Sequence, residues 1–252
     1  MLASSAGQQL TQLADLWPHA DAVRYEHKNI KWTFRELNHF AESLSSGLLE
    51  SGFEPGDAIL SWLPSHIAEQ HVLQFACAKA GFVLYSLDPM LPVEDKDLAC
   101  EALEKALVET NAAALITLHA GNDVDYLSIC KKVIPETKVF DFASGEEFFT
   151  PKFPNLRMPV HCGFDNLDGK HGFIVFKHLL MPNGATSDLL EEYGELTDAT
   201  PLLGELVTAS DGLPTKGKVL TNAEVVNGKV WPEFSSILEK KYIEVAGTGV
   251  VL

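Results

Sequence analysis

The sequence predicts an α/β fold in which a mostly parallel sheet is flanked by helices. Short apolar runs of strand length alternate along the chain with longer segments whose apolar residues recur every three to four positions. Alternation of this kind is typical of a parallel sheet that is covered by helices on both faces. The 252 residues are 46% hydrophobic, which is enough apolar material to bury one core.

The first clear helix is predicted to begin at Thr33 and to end before Gly52. Thr33 and Glu36 have the spacing of a capping box, in which a hydroxyl and a carboxylate each bind a free backbone N–H group. The apolar residues that follow at helical spacing predict its buried face: Leu37, Phe40, Ala41, Leu44 and Leu48. The glycine then supplies a C-terminal stop.

The remaining elements follow from the same patterns. Predicted strands lie at 58–62, 82–87, 113–118, 138–142, 173–180, 203–208 and 242–252. Predicted helices lie at 64–80, 94–111, 124–133 and 222–240. Pro232 is expected to kink or divide the last helix, because proline lacks a backbone N–H group. The expected core contains Leu37, Phe40, Leu44, Ile59, Leu60, Leu73, Phe75, Val83, Leu115 and Ile116.

We interpret the chain, residues 1–252, as one partial domain with three regions. Residues 16–142 form a first strand–helix subdomain, because the alternation is regular there. Residues 143–200 are predicted to be an irregular excursion, since prolines and glycines interrupt its first half and acidic residues dominate its second. Residues 201–252 form a closing region and a tail.

The charge balance excludes two classes of partner. The chain has 19 basic and 35 acidic residues, a net charge of −16. Nucleic-acid binding relies on clustered lysine and arginine, so we expect no nucleic-acid partner. An anionic membrane surface is disfavoured for the same reason.

Other features bear on the cellular setting. No segment reaches the ~18 apolar residues that span a bilayer, so we expect no direct membrane span. The N-terminus does not follow the pattern of a secretory signal. The four cysteines are far apart and predict buried free thiols in a reducing compartment: Cys77, Cys100, Cys130 and Cys162.

Three motifs resemble those of the adenylate-forming enzymes, which include acyl-CoA synthetases. Residues 33–37 read TFREL, residues 56–64 read GDAILSWLP, and residues 78–89 read AKAGFVLYSLDP. The order and spacing agree with the family pattern over roughly residues 16–120. The resemblance implies that the chain has the fold of the N-terminal domain of these enzymes.

The family's phosphate loop corresponds here to residues 208–217, TASDGLPTKG. In the family, a Ser-, Thr- and Gly-rich loop holds the phosphates of ATP, and a lysine offsets their charge. The resemblance maps a degenerate remnant of that loop onto Thr208, Ser210, Asp211, Gly212, Lys216 and Gly217. Asp211 places a carboxylate near the phosphate position, where two unit charges 4 Å apart repel by ~4 kcal/mol at an effective dielectric of 20. We therefore expect no bound cofactor and no catalytic residue.

Later family motifs are not found in the sequence. The resemblance implies an aromatic–Gly–x–Thr–Glu motif, an aspartate for the ribose and a C-terminal domain with a catalytic lysine. The chain ends 35 residues after Gly217 without them. The sequence is therefore interpreted as a truncated N-terminal domain with a degenerate phosphate loop.

The histidines do not predict a metal site. His66 and His71 are five residues apart and do not share a helix face. His161, Cys162 and His171 lie in the irregular region, with Asp165 and Asp168 between them. This spacing matches no tetrahedral zinc motif, so no metal is expected.

The leading hypothesis is a non-catalytic structural or interaction subunit, derived from an acyl-CoA synthetase-like enzyme and held in a larger protein assembly. A parallel sheet interrupted near its middle exposes a strand edge and an apolar face that another subunit could cover. The expected seam is within 203–252, and a mitochondrial assembly is favoured over a cytosolic one. Two alternatives stay open: a shortened or two-chain ATP-dependent ligase, and a module that binds an acyl group or a nucleotide without turnover.

Overall fold

The computed structural model describes residues 5–162, 172–181 and 186–247. The helices are α1 Ala6–Leu16, α2 Phe34–Glu50, α3 Ala68–Ala80, α4 Leu91–Glu94, α5 Lys96–Thr110, α6 Tyr126–Val133, α7 Thr186–Leu189, α8 Asn222–Asn227 and α9 Pro232–Leu238. The strands are β1 Asp21–Tyr25, β2 Ile30–Thr33, β3 Ala58–Trp62, β4 Val83–Ser86, β5 Ala114–Leu118, β6 Ala120–Gly121, β7 Val124–Asp125, β8 Met158–Cys162, β9 Ile174–Val175, β10 Pro201–Thr208, β11 Pro214–Thr221 and β12 Ile243–Val245.

A seven-stranded sheet forms the centre of the fold. Its strand order is β11-β10-β4-β3-β5-β8-β9, and every neighbouring pair except β10 with β11 is parallel. The strands β3, β4 and β5 are neighbours near the middle and run parallel, because the helices α3 and α5 cross over between them. The predicted α/β class, with a mostly parallel sheet and flanking helices, is confirmed.

A second, three-stranded sheet joins the two ends of the described chain. β1 pairs antiparallel with β2 and parallel with β12, with Val23 opposite Ile243. The predicted final strand is confirmed at Ile243–Val245, and residues 248–252 of that prediction lie outside the described residues. The tail is therefore tied to the N-terminal region through backbone pairing.

The predicted capping box of α2 is confirmed. The Thr33 N–H group donates to Glu36 Oε2 at 2.8 Å, and the Glu36 N–H group donates to Thr33 Oγ1 at 3.3 Å. A second capping box, between Ser5 and Gln8, starts α1, a helix that the sequence patterns did not predict. Among the described residues, the helices are all too short or too polar to cross a bilayer.

The predicted core is confirmed at nine of its ten positions. Those nine side chains are less than 9% exposed. Phe40 is only partly buried, and the centre of its ring lies 4.7 Å from the centre of the Trp32 ring of β2. The four cysteines are free thiols, and Cys77 and Cys130 are fully buried.

Two predictions about the middle of the chain are wrong. Residues 138–142 are not a strand, because this region forms short 3₁₀ turns and the rings of Phe140, Phe142 and Phe148 pack on one another. The excursion is not irregular throughout, because it contains β8, a buried strand between β5 and β9. Of the strand predicted over 173–180, only Ile174–Val175 is extended.

Near the C-terminus, the loop predicted after β10 is wrong and the division of the last helix is confirmed. The loop expected after residue 208 is instead a short turn followed by β11, which pairs with β10 as a hairpin. The polar composition of this strand hid it from the apolar pattern, because it lies at the exposed edge of the sheet. The division of the last helix at Pro232 is confirmed, since α8 ends at Asn227 and α9 begins at Pro232.

An ion pair between a buried lysine and a partly buried glutamate connects three helices beside the sheet. Lys79 Nζ lies 2.8 Å from Glu42 Oε2 and also donates to Thr11 Oγ1 at 2.6 Å. The other oxygen of Glu42 accepts the backbone N–H of Thr186 at 2.7 Å. Burial alone would raise the pKa of Glu42, but Lys79 and Thr186 together hold it below its ordinary value. The pair therefore stabilises the packing of α1, α2 and α3 and fixes the start of α7.

We predict that Glu42→Gln destabilises the fold by about 2 kcal/mol, because Lys79 then stays buried without its counter-charge. A carboxyl with a lowered pKa stabilises the fold above the ordinary glutamate value of about 4.3, and this stabilisation is lost as the pH falls through the lowered value. Urea unfolding should therefore show the largest difference near neutral pH and a smaller one in acid. Glu50→Gln, at the exposed end of the same helix, is the matched control and should change little. Equal effects of the two variants would contradict the prediction.

Candidate functional site

A crevice of about 640 Å³ lies where β3, β4 and β10 end. The carboxyl ends of parallel strands form the usual ligand crevice of α/β sheets. The polar residues that line it come from α3, from the loop after β3, from the end of β4 and the loop after it, and from β10: Ser65, Gln70, Gln74, Ser86, Asp88 and Thr208. Apolar side chains, including Leu98 and Trp231, line the rest.

Residues 209–213, which we call the hairpin turn, connect β10 to β11 beside this crevice. The Ala209 N–H donates to Leu213 O at 2.9 Å, and the Gly212 N–H donates to Ala209 O at 3.0 Å. The Leu213 N–H donates to Asp211 Oδ1 at 3.0 Å. Gly212 has a φ of +82°, a conformation that glycine adopts without strain. The turn is therefore closed by its own hydrogen bonds.

The structure separates the six predicted loop residues into two groups. Thr208, Ser210, Asp211 and Gly212 lie at or in the hairpin turn, and Thr208 and Gly212 line the crevice. Lys216 and Gly217 lie on β11, past the turn. The Nζ atom of Lys216 lies over the Tyr85 ring, 5.6 Å from its centroid. The lysine therefore contacts an aromatic ring of β4.

Lys216 and Lys218 also belong to the protected edge of the sheet. The Lys216 N–H donates to Glu109 Oε2 of α5, and the Lys218 N–H donates to Glu205 Oε2 of β10, each at 3.3 Å. Glu109 therefore binds a backbone donor of the edge strand from α5, whereas Glu205 comes from the paired strand β10 and binds at the irregular register between the two strands. Gly217 lies between Lys216 and Lys218, where a Cβ atom would come within 2.9 Å of Val207 Cγ2.

The hairpin turn does not fit the triphosphate of ATP. Three of its backbone N–H groups donate within the turn itself, whereas a phosphate cradle needs such groups to point at the ligand. The Asp211 carboxylate adds negative charge at the same place. Among the described residues that line the crevice, none is basic, and Asp88 is the charged one. We therefore derive no chemical step that involves ATP in this site.

Gln74 is a site residue that the sequence reasoning missed. Its side chain is 5% exposed and lines the crevice, and its Oε1 atom has no hydrogen-bond partner among the described residues. Gln70, one turn earlier, differs because its Oε1 accepts the Ser61 hydroxyl at 2.6 Å. Two glutamines four residues apart on a largely buried helix are the signal that could have found this position.

The loop that carries Asp88 is held by two hydrogen bonds. The Trp62 indole N–H donates to Asp88 O at 2.9 Å, and the Tyr126 hydroxyl donates to Pro89 O at 2.6 Å. Burial, with the negative charge of Asp88, raises the pKa of Tyr126 to about 12, so this hydroxyl stays protonated and remains a donor. Asp88 is thus kept at the mouth of the crevice by buried aromatic side chains.

The histidines form no metal centre in the described part of the chain. No group of three histidine, cysteine, aspartate or glutamate residues is placed to hold an ion there. His66 lies in the turn before α3 and His71 lies on α3, so the two histidines do not belong to one helix. Burial, together with the charge of His66, lowers the pKa of His71 to about 4. His71 Nδ1 pairs with the Tyr25 hydroxyl at 2.8 Å. The predicted cluster around His161 extends into 163–171, which lies outside the described residues.

The comparison with protein families identifies the chain. A family model described as "AMP-binding enzyme" matches residues 10–150, more than half of the sequence. The chain belongs to the AMP-binding enzyme family. The matched region contains the three motifs that suggested adenylate-forming enzymes, so that resemblance is confirmed.

The relatives within this family are acyl-CoA synthetases and ligases by name. The Bacillus subtilis protein YngI, which carries an acyl-CoA synthetase name, is 27% identical over 90% of this chain and 39% of its own length. The human protein "Medium-chain acyl-CoA ligase ACSF2, mitochondrial" is 27% identical over 88% of this chain and 34% of its own length. The chain thus spans about a third to two-fifths of the length of these relatives.

Solved structures of the AMP-binding enzyme fold superpose on nearly the whole chain. An acetoacetyl-CoA synthetase from Streptomyces lividans matches with a TM-score of 0.70 and 17% identity, over 96% of this chain and 38% of that one. A luciferase-like enzyme from Zophobas morio matches with a TM-score of 0.68 and 11% identity, over 98% and 55%. These matches establish the shared fold.

We predict that Asp211→Ala destabilises the chain by about 0.5 to 1 kcal/mol, because the turn loses the acceptor for the Leu213 N–H. Asp211→Asn keeps an oxygen at that position and is the control, with little expected change. Guanidinium unfolding measures both variants. Equal destabilisation by alanine and asparagine would contradict the role assigned to this hydrogen bond.

Proposed function

We propose that this chain is a non-catalytic member of the AMP-binding enzyme family that acts as a structural or interaction subunit of a larger protein assembly. The observation that carries the proposal is the hairpin turn, whose backbone donors are used internally. ATP-dependent acyl transfer needs donors and positive charge at the triphosphate. This turn instead presents a carboxylate, and the described lining of the crevice beside it has no basic side chain.

We predict that the purified chain shows no ATP–pyrophosphate exchange with fatty or amino acids and no saturable binding of MgATP. Isothermal titration with MgATP and a radiolabelled exchange assay are the measurements. YngI, assayed under the same conditions, is the positive control for the exchange assay. Exchange that disappears in Lys216→Ala would overturn the proposal.

The proposed contact surface is the outer part of the β10–β11 hairpin, which narrows the expected seam of 203–252. Val225, Phe234 and Ile237, which the seam included, are fully buried in the chain's own core. Val207 and Val219 are 51% and 42% exposed, and both lie on the hairpin. The strand register places the two valines on opposite faces of the hairpin, so a partner that encloses this end of the sheet would contact both.

We predict that the double variant Val207→Asp, Val219→Asp releases the chain from its native assembly while the fold is retained. New charges at the centre of an apolar contact must be desolvated without a counter-charge, which weakens association. The native mass of the tagged full chain, isolated from the cells that make it, is the measurement. Val139→Asp, at a valine that is 83% exposed elsewhere, is the matched control and should not release it. Release by both variants, or by neither, would contradict this surface.

The alternative function is an ATP-dependent acid–thiol ligase that needs further protein beyond these 252 residues. Two observations favour it: the relatives are named as ligases, and the chain spans only part of their length. In that case, exchange activity should appear in the native assembly and should depend on Lys216. A mitochondrial setting also belongs to the proposal, and its support is that several relatives are named as mitochondrial ligases.

A further inference from the structure

The crevice contains a buried acceptor that has no donor. Gln74 Oε1 lies on a side chain that is 95% buried, and it has no hydrogen-bond partner among the described residues. Buried polar groups nearly always have partners, either protein groups or ordered water, so this acceptor at the wall of a crevice offers a position that a ligand's donor could take from water. An amide oxygen accepts hydrogen bonds only, and the ligand group that binds it must therefore be a donor.

The negative charge at the crevice favours a cationic donor over a neutral or anionic one. Asp88 lies at its mouth, and one of its oxygens accepts the Met90 N–H at 2.8 Å. Because the described lining residues include no lysine or arginine, a phosphate or carboxylate would meet only negative charge and neutral dipoles. A cationic donor gains from the same arrangement, and the net charge of −16 adds a long-range field of the same sign.

The remaining lining fits a cation that is attached to an apolar body. Trp231 lines the crevice, and tryptophan is the best aromatic partner for an ammonium group. Leu98 and Leu206 line it as well and offer a surface for aliphatic carbons. The volume of about 640 Å³ is within the range of small-molecule sites.

From these features we propose that the crevice binds a small molecule with a protonated primary amine on an apolar body. The ammonium group donates to Gln74 Oε1 and faces the Asp88 carboxylate, and the carbon chain contacts the apolar wall. The proposal does not depend on the interaction role given above, since it concerns the crevice and not the outer part of the hairpin.

The test compares three probes of equal length with the full-length purified chain. Isothermal titration should show saturable binding of hexylammonium at least tenfold tighter than that of 1-hexanol, and no binding of hexanoate. This order is expected because only the amine supplies both the donor and the positive charge. Equal affinities for the amine and the alcohol, tighter binding of hexanoate, or no binding of the amine would each overturn the proposal.

Variants locate the binding. Gln74→Met keeps the size of the side chain but removes the acceptor, and Asp88→Asn removes the charge while keeping an oxygen for the Met90 N–H. Each should weaken hexylammonium binding at least fivefold, whereas Asp97→Asn, an exposed aspartate on α5, should leave it unchanged. Circular dichroism confirms that each variant is folded, and Asp88→Asn provides the test if Gln74→Met does not fold. If binding is unchanged in Asp88→Asn, or in a folded Gln74→Met, the amine does not occupy this crevice.

Discussion

The position of the β10–β11 hairpin depends on the absence of a side chain at Gly204. This residue pairs with Tyr85 of β4, and a Cβ atom there would lie 2.0 Å from the tyrosine ring. β10 can therefore join the parallel sheet only because glycine lets the ring lie across it. The hairpin turn, one wall of the crevice and the exposed edge strand β11 are all positioned by this one contact. Because the hairpin lies there, the Lys216 side chain of β11 packs on the same Tyr85 ring.

In the proposed non-catalytic role, the same hairpin accounts for a chain that keeps the family fold without the family chemistry. The fold needs β10 and β11 to pair, and that pairing is retained. The chemistry needs the connection between them to leave its N–H groups open, and here a five-residue turn uses them. A closed turn is compatible with every sheet contact, so selection for a stable sheet alone would not restore a phosphate cradle.

The sequence predicted the elements whose apolar residues recur regularly or whose ends are capped, and it missed elements in which proline or polar residues interrupt that pattern. The strand at 58–62 and the helix that starts at Thr33 were predicted almost to the residue, because both are apolar or capped in a regular way. β8 was missed because Pro159 argues against a paired strand. β9 pairs only with Val160 and His161, so β8 has a free edge at Pro159, and proline is tolerated there.

The candidate site was predicted only in part for a related reason. Motif order located the hairpin turn, since its residues are adjacent in the sequence. The crevice is lined from α3, α4, α5, the loops after β3 and β4, the β10–β11 hairpin and the residue before α9, and no local pattern brings Gln74 into one site with Trp231 or Asp88. Burial without a partner, which marks Gln74, is a property of the folded chain and cannot be read from residue spacing.

The protected edge restricts how a partner could associate with this sheet. An exposed edge strand normally invites another strand to pair with it through backbone hydrogen bonds. In β11 the N–H group of Lys216 already donates to the Glu109 carboxylate of α5, so a pairing strand would have to displace that carboxylate. Side-chain contacts at the valines of the hairpin require no such displacement. An assembly built on this surface is therefore expected to use side-chain packing and not continuation of the sheet.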